Sequence, residues 1–203
     1  MSVAGSLSVR VGVASRALAG EPVSGDRAVI ARTSGAVLLG AVDGLGHGAP
    51  AADAAARAVA LLEDQMEQPI DKLLELCHEA LRHTRGAAIT LARVEPEAAR
   101  LTWGGVGNVA AVVVSQHGVR PTHALVTPGV VGFRLPATLV TSVELGSGDL
   151  IAIATDGLEP RFVDEVSTAG GVPVQEVADG LLKRFAKLGD DALILVARCE
   201  RAT

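Results

Sequence analysis

Four places in the chain set an aspartate beside glycine or a second aspartate, next to an apolar run: Ser24-Gly25-Asp26, Asp43-Gly44-Leu45-Gly46-His47-Gly48, Thr155-Asp156-Gly157 and Gly189-Asp190-Asp191. Singly, each reads as a turn, because Asp and Gly are favoured where strands stop. The set carries more. Asp43 and Asp156 close the apolar runs Val37–Val42 and Leu150–Ala154, so core strands aim both carboxylates at fixed points, which loops alone do less well. Carboxylates converging in one cleft at about 4 Å repel by about 4 kcal/mol per pair at an effective dielectric of about 20. Either a cation sits among them or they are protonated. An all-oxygen donor set without a His or Cys cluster suits Mg²⁺ or Mn²⁺. Two such ions about 3.5–4 Å apart would bring a water pKa toward 7 and hold the oxygens of an in-line displacement at phosphorus.

Other attractive features have plainer readings. Gly105-Val106-Gly107-Asn108-Val109-Ala110 begins like a dinucleotide fingerprint, but it ends in Ala and lies between two strand patterns with no helix to follow, so it reads as a hairpin turn. His78 and His83 are five apart on a helical pattern, the wrong spacing for a shared zinc, and read as surface or boundary residues. Ser15, Ser24 and Ser115 lie in no Gly-x-Ser-x-Gly elbow, which removes the case for a serine nucleophile. Trp103 reads as a core residue, and Cys77 and Cys199 as reduced, buried fillers with no resolving partner nearby in sequence.

The elements that must position the aspartates follow from periodicity. Leu7, Val9, Val11 and Val13 alternate as in a half-buried strand. Ala28–Arg32 and Ala36–Val42 read as two more strands joined by a turn at Thr33-Ser34-Gly35. Helical spacing is predicted from Pro50 to about Gln65 and from Pro69 to about His83, each with proline near its start, where the missing N–H costs nothing. A strand-rich block follows: Ala87–Val94, Arg100–Trp103, Val109–Ser115, Thr138–Leu145 and Leu150–Thr155. The chain closes with a helix near Val174–Lys187 and a strand, Ala192–Arg198. Grouped strands with paired helices point to an α+β domain with mainly antiparallel sheets. Pro121–Pro136 is the one long stretch without clear periodicity, a common property of functional loops.

With 203 residues, 49% hydrophobic but only 2% aromatic, the chain fits one domain with a core of Ala, Val, Leu and Ile. A net charge of −5 argues against nucleic acid and acidic membrane surfaces as partners. Met1–Gly20 lacks a basic-then-apolar leader, and no apolar run is long enough to span a bilayer, so the expected location is the cytoplasm.

The four aspartate motifs, the Ala-rich helix after the second, and Gly148-Asp149-Leu150 leading into Thr155-Asp156-Gly157-Leu158 stand in the order of the SpoIIE-like branch of the protein phosphatase 2C superfamily, which the chain resembles over about residues 8–198. Within that branch, the short length and Gly105-Val106-Gly107-Asn108 are most similar to the RsbX-type stressosome phosphatases. The resemblance implies an αββα sandwich, with two antiparallel sheets back to back and metals at one end. It implies that Asp43 bridges two divalent cations, Mn²⁺ or Mg²⁺, with Asp26 and the Gly44 carbonyl on one and Asp156 and Asp190 on the other. Asp191, where relatives often carry Asn, is the alternative to Asp190. Metal-activated water, with no catalytic side chain, would hydrolyse phosphoserine or phosphothreonine on a regulatory protein, a stressosome component or an anti-anti-sigma factor.

The chain also departs from the wider superfamily. Leu45 stands where the eukaryotic branch has a histidine directly after Asp-Gly; His47, two residues on, has two readings, protonation of the leaving group or loop structure. Asn108 falls near the place of a third-metal aspartate, and a phosphate-clamping arginine before Asp26 is represented only by Arg16, a weak candidate. A pseudophosphatase that binds a phosphoprotein without turnover is the alternative, and a structural domain with Asp-rich turns is a third reading.

Overall fold

The computed structural model describes residues 6–115 and 120–202. In chain order the elements are β1 (Leu7–Arg16), β2 (Asp26–Arg32), β3 (Val37–Gly44), α1 (Ala49–Asp64), α2 (Ile70–Leu81), β4 (Ala87–Glu95), β5 (Arg100–Val106), β6 (Ala110–Val114), β7 (Thr122–His123), β8 (Val126–Thr127), β9 (Thr141–Glu144), β10 (Leu150–Ala154), α3 (Phe162–Val166), α4 (Val174–Phe185) and β11 (Ala192–Arg201). One sheet runs β1-β11-β10-β6-β7; the other runs β2-β3-β4-β5-β8, with β9 also on β5. Among the described residues the named-strand pairings are antiparallel except β5 with β8.

Successive side chains of a strand point to opposite faces, and here both faces of both sheets are covered. Leu39, Ala41, Ala92 and Trp103 of one sheet meet Ile151, Ile153, Leu195 and Ala197 of the other in a central core. On the outer faces, Leu38, Val42, Ile89 and Leu91 pack against α1 and α2, while Ala152, Ile194 and Val196 pack against α3 and α4. This is the expected αββα arrangement of α+β class. It explains why β3 reads Val37-Leu38-Leu39-Gly40-Ala41-Val42 with almost no polar alternation. Trp103 is buried, as predicted, with its indole N–H donating to Thr141 Oγ1 at 2.9 Å. Cys77 and Cys199 are buried too, and burial pushes both thiols up to about 12.

Three sequence expectations change. Gly105–Ala110 is no hairpin: β5 and β6 lie in different sheets, so this segment crosses the sandwich, with Gly107 at φ 109° where a Cβ would meet that of Ala88 at 2.4 Å. Helix α3 was not foreseen, since five residues are too few to display a 3.6-residue period. The stretch from Pro121 to Pro136 carries β7, β8 and a bridged turn between Val130 and Arg134, with Val131 fully buried.

Candidate metal centre

Asp26 and Asp43 are register partners on adjacent strands, β2 and β3. Asp43 shares its parity with Leu39 and Ala41, so it stands on the inter-sheet face, at the point where the apolar core runs out. From the facing sheet comes Thr155, buried directly after β10; its Oγ1 donates to Asp26 Oδ2 at 2.6 Å and accepts from the Leu193 N–H at 2.9 Å. One hydroxyl thereby ties a carboxylate of one sheet to the backbone of the other.

Asp43, Asp156 and Asp190 line a single cleft with Leu45, Gly46, His47 and Asn108. Asn108 Nδ2 donates to Asp156 Oδ2 at 2.6 Å, and Lys187 Nζ donates to the Asp156 carbonyl at 2.5 Å. The glycines after the aspartates have steric causes. A Cβ on Gly44 would lie 2.2 Å from the Ala51 carbonyl oxygen of α1, and one on Gly157 would lie 1.8 Å from that of Asp191. The Gly44 N–H donates to the Gly25 carbonyl at 3.1 Å, drawing the Asp26 loop against the Asp43 loop.

The neighbouring aspartates Asp190 and Asp191 point to different surroundings. Asp191 is buried, and its two oxygens accept the N–H groups of Leu18 and Gly25, both at 2.7 Å. That carboxylate fastens the loop preceding β2 to the start of β11. Asp190 faces the cleft, its Oδ1 accepting the N–H of Asp191 at 2.9 Å. His47 also lines the cleft, while its Nδ1 sits 2.5 Å from Glu21 Oε1. Arg16 is turned to other use, its guanidinium donating to the Lys187 carbonyl.

The electrostatics of the cluster are those of crowded acids. Burial, then the charges of Asp26, Asp156, Asp190 and Asp191, push the Asp43 carboxyl up to about 8. Asp26 is pushed to about 7 by burial, with the Thr155 hydrogen bond pulling it back and Asp191, Asp190 and Asp156 adding to the rise. Asp190 is raised as well, by burial first and Asp156 next, with Lys187 opposing. Among the described residues, the strongest influences on Asp26 and Asp43 are burial, the Thr155 hydroxyl and other aspartates rather than cationic side chains. Among the described residues, no three His, Cys, Asp or Glu side chains are gathered tightly enough to chelate one ion as they stand. The donor chemistry nevertheless fits hard divalent cations, which take carboxylate and carbonyl oxygens, retain waters, and would offset this repulsion.

Thr155, Glu21 and Lys187 escaped the sequence reading. Thr155 had a faint signal as a hydroxyl between an apolar strand and Asp156; the other two act across long sequence separations.

The family described as Stage II sporulation protein E (SpoIIE) matches residues 33–200. The phosphoserine phosphatase RsbX of Bacillus subtilis (strain 168) is 23% identical over 180 residues, 88% of this chain and 89% of that protein. A chain solved in work on "The bacterial stressosome: a modular system that has been adapted to control secondary messenger signaling" is 32% identical, with 94% of this chain and 100% of that chain covered at a TM-score of 0.89. RsbX in complex with magnesium superposes with a TM-score of 0.85 at 22% identity, covering 95% of this chain and 96% of the other.

Proposed function

The chain belongs to the SpoIIE family of PP2C-type domains, and from that premise we propose that it is a metal-dependent phosphatase, one domain acting on phosphoserine or phosphothreonine of bacterial regulatory proteins. The observation that carries the reading is that Asp43, Asp156 and Asp190 line one cleft at the open end of the inter-sheet core, with Asp26 the register partner of Asp43, and that Asp26, Asp43 and Asp190 are all raised in pKa by burial and by neighbouring aspartates.

In this reading Asp43, Asp26, the Gly44 carbonyl, Asp156 and Asp190 are the groups that would hold two divalent cations, Mg²⁺ or Mn²⁺, with Asp43 contributing to both. When bound, the ions supply Lewis acidity that makes water a nucleophile near neutral pH. The rest is positioning by the chain. Thr155 fixes one oxygen of Asp26, and Asn108 fixes one of Asp156. Lys187 holds the backbone beneath Asp156, and Asp191 holds the loop that delivers Asp26. Glu21 at Nδ1 orients the His47 ring at the rim of the cleft, and in this reading that ring is the candidate to protonate a departing serine oxygen.

Hydrolysis of an aryl phosphate with Mn²⁺, and its loss with chelator, tests the proposal; absence of metal-dependent turnover would remove it. Leu45 in place of a histidine after Asp43-Gly44 favours the second reading, a binding protein for phosphorylated partners. Metal binding by calorimetry without turnover would select that one.

The names of the relatives, a phosphoserine phosphatase and a stressosome chain, support phosphorylated stressosome-type or anti-anti-sigma proteins as substrates. A folded partner needs a landing surface near the cleft. The turn Val130–Arg134 suits this: Gly132 N–H donates to His78 Nδ1 at 3.0 Å, Val131 bridges Ala87, and Phe133 is left 85% exposed. Ala87 in turn pairs with Gly44, which puts that turn at the same end of the sandwich as the aspartates. Among the described residues no helix is long and apolar enough to cross a membrane, and a cytoplasmic location is part of the proposal. Higher kcat/KM on a folded phosphorylated regulator than on a phosphopeptide of the same local sequence is expected.

A further inference from the structure

A phosphate monoester entering this cleft brings negative charge to walls that are themselves acidic. Divalent cations would balance the carboxylates, but the outer phosphate oxygens still need donors. Of the residues lining the cleft only His47 can carry a positive charge, and its Nδ1 is held by Glu21. The nearby cations Lys187 and Arg16 are committed to the carbonyls of Asp156 and Lys187.

Arg85 differs from these. It lies in the turn between α2 and β4, exposed, with no hydrogen-bond or ion-pair partner among the described residues. Its guanidinium rests against Gly46 in the wall of the cleft: a Cβ on Gly46 would lie 2.6 Å from Arg85 Nη1 and 3.8 Å from Cζ. Gly46 stands at φ 86°, so glycine at this position both permits the loop and leaves room for the arginine head. The turn carrying Arg85 is well held. The Thr84 N–H and Oγ1 both donate to the Leu81 carbonyl, at 2.9 and 2.7 Å. The Gly86 N–H donates to Thr84 Oγ1 at 3.0 Å, and the Leu45 N–H donates to the Gly86 carbonyl at 3.0 Å. The Arg85 turn and the cleft loop are thus joined backbone to backbone. A guanidinium with no partner among the described residues, carried on a held turn at the rim of an acidic cleft, has the planar pair of donors that matches a phosphate.

We propose that Arg85, rather than Arg16, is the phosphate-binding residue of this site, donating guanidinium N–H groups to non-bridging oxygens of a phosphoserine-type monoester. This assignment rests on the phosphatase reading but is tested apart from turnover. Binding of inorganic phosphate to the Mn²⁺-loaded protein would be measured by titration calorimetry for the wild type, Arg85→Ala and Arg85→Lys, with Mn²⁺ affinity and aryl phosphate hydrolysis measured in parallel. Arg85→Ala is expected to weaken phosphate about tenfold or more, with Mn²⁺ affinity unchanged and Arg85→Lys recovering part of the loss. Equal phosphate affinity in wild type and Arg85→Ala, no phosphate binding by the wild type, or a parallel fall in Mn²⁺ affinity would each overturn the assignment. Arg85-dependent phosphate binding without aryl phosphate turnover would overturn the phosphatase reading and leave the assignment standing.

Discussion

Strand β10 carries an aspartate at each end, and the two live in opposite conditions. Asp149, just before the strand, is buried; its Oδ2 accepts the Gly146 N–H at 2.7 Å, and its carbonyl accepts the Cys199 N–H at 2.9 Å. Asp156, just after it, takes a donor from Asn108 and otherwise shares its cleft with Asp43 and Asp190. The pair Asp190 and Asp191 repeats the contrast between adjacent residues, one on the cleft and one spent on the N–H groups of Leu18 and Gly25. A buried carboxylate supplied with backbone donors is a structural tie. Carboxylates supplied mainly with one another form a site that calls for a cation.

The contrast is broken most severely at Asp43. Asp43→Asn is expected to lower phosphatase kcat by about 100-fold or more, since losing a shared charged ligand removes a few kcal/mol of stabilisation at about 1.4 kcal/mol per tenfold. The variant should stay folded by circular dichroism and lose its thermal stabilisation by Mn²⁺. Retention of more than about a tenth of the wild-type rate would exclude the shared role.

Substitutions on the two sides of the contrast should fail differently. Asp156→Asn and Asp190→Asn are expected to be nearly as inactive as Asp43→Asn, with little change in melting temperature in the presence of chelator. Asp191→Asn and Asp149→Asn should instead cost about 1–3 kcal/mol of stability, a drop of several °C for a chain of this size, while keeping the response to Mn²⁺. If Asp191→Asn lost the Mn²⁺ response and Asp190→Asn kept it, the two assignments would exchange.

Acidity sharpens the comparison further. Asp26 and Asp43 have folded pKa values of about 7 and about 8 against an ordinary 3.8, so between those limits the folded protein without metal binds more protons than the unfolded chain. Their contribution is therefore intact below about pH 4 and is lost as pH rises through about 7 to 8. The chelated protein should melt progressively lower across that window in a thermal scan. Mn²⁺ should reverse the trend, and Asp43→Asn should flatten it. The smallest effect is expected at the displayed turn: Phe133→Asp should lower kcat/KM for a folded phosphorylated regulator by about fivefold and leave aryl phosphate hydrolysis unchanged.

What the amino-acid order determined alone is everything that rests on the covalent geometry of neighbouring residues. Alternation marked β1, unbroken apolar runs marked buried strands such as β3, β10 and β11, helical spacing behind Pro50 and Pro69 marked α1 and α2, and the Asp-Gly breaks marked where strands release their last side chain. The candidate aspartates were therefore readable before any fold was known. Partner choice was not. Locally, Gly105–Ala110 looks like a hairpin, yet β5 and β6 join different sheets because their apolar faces are satisfied by strands far away in the chain. Asp190 and Asp191 are alike in sequence, and only the return of the loop containing Leu18 and Gly25 to the start of β11 gives one of them backbone donors. The contacts of Thr155 with Asp26, Glu21 with His47 and Arg85 with Gly46 span 129, 26 and 39 residues, the last from 85 − 46. Periodicity carries no record of such distances, whereas desolvation, charge proximity and hydrogen bonding depend on them directly, so the tertiary structure alone decides which aspartates are ties and which form the site.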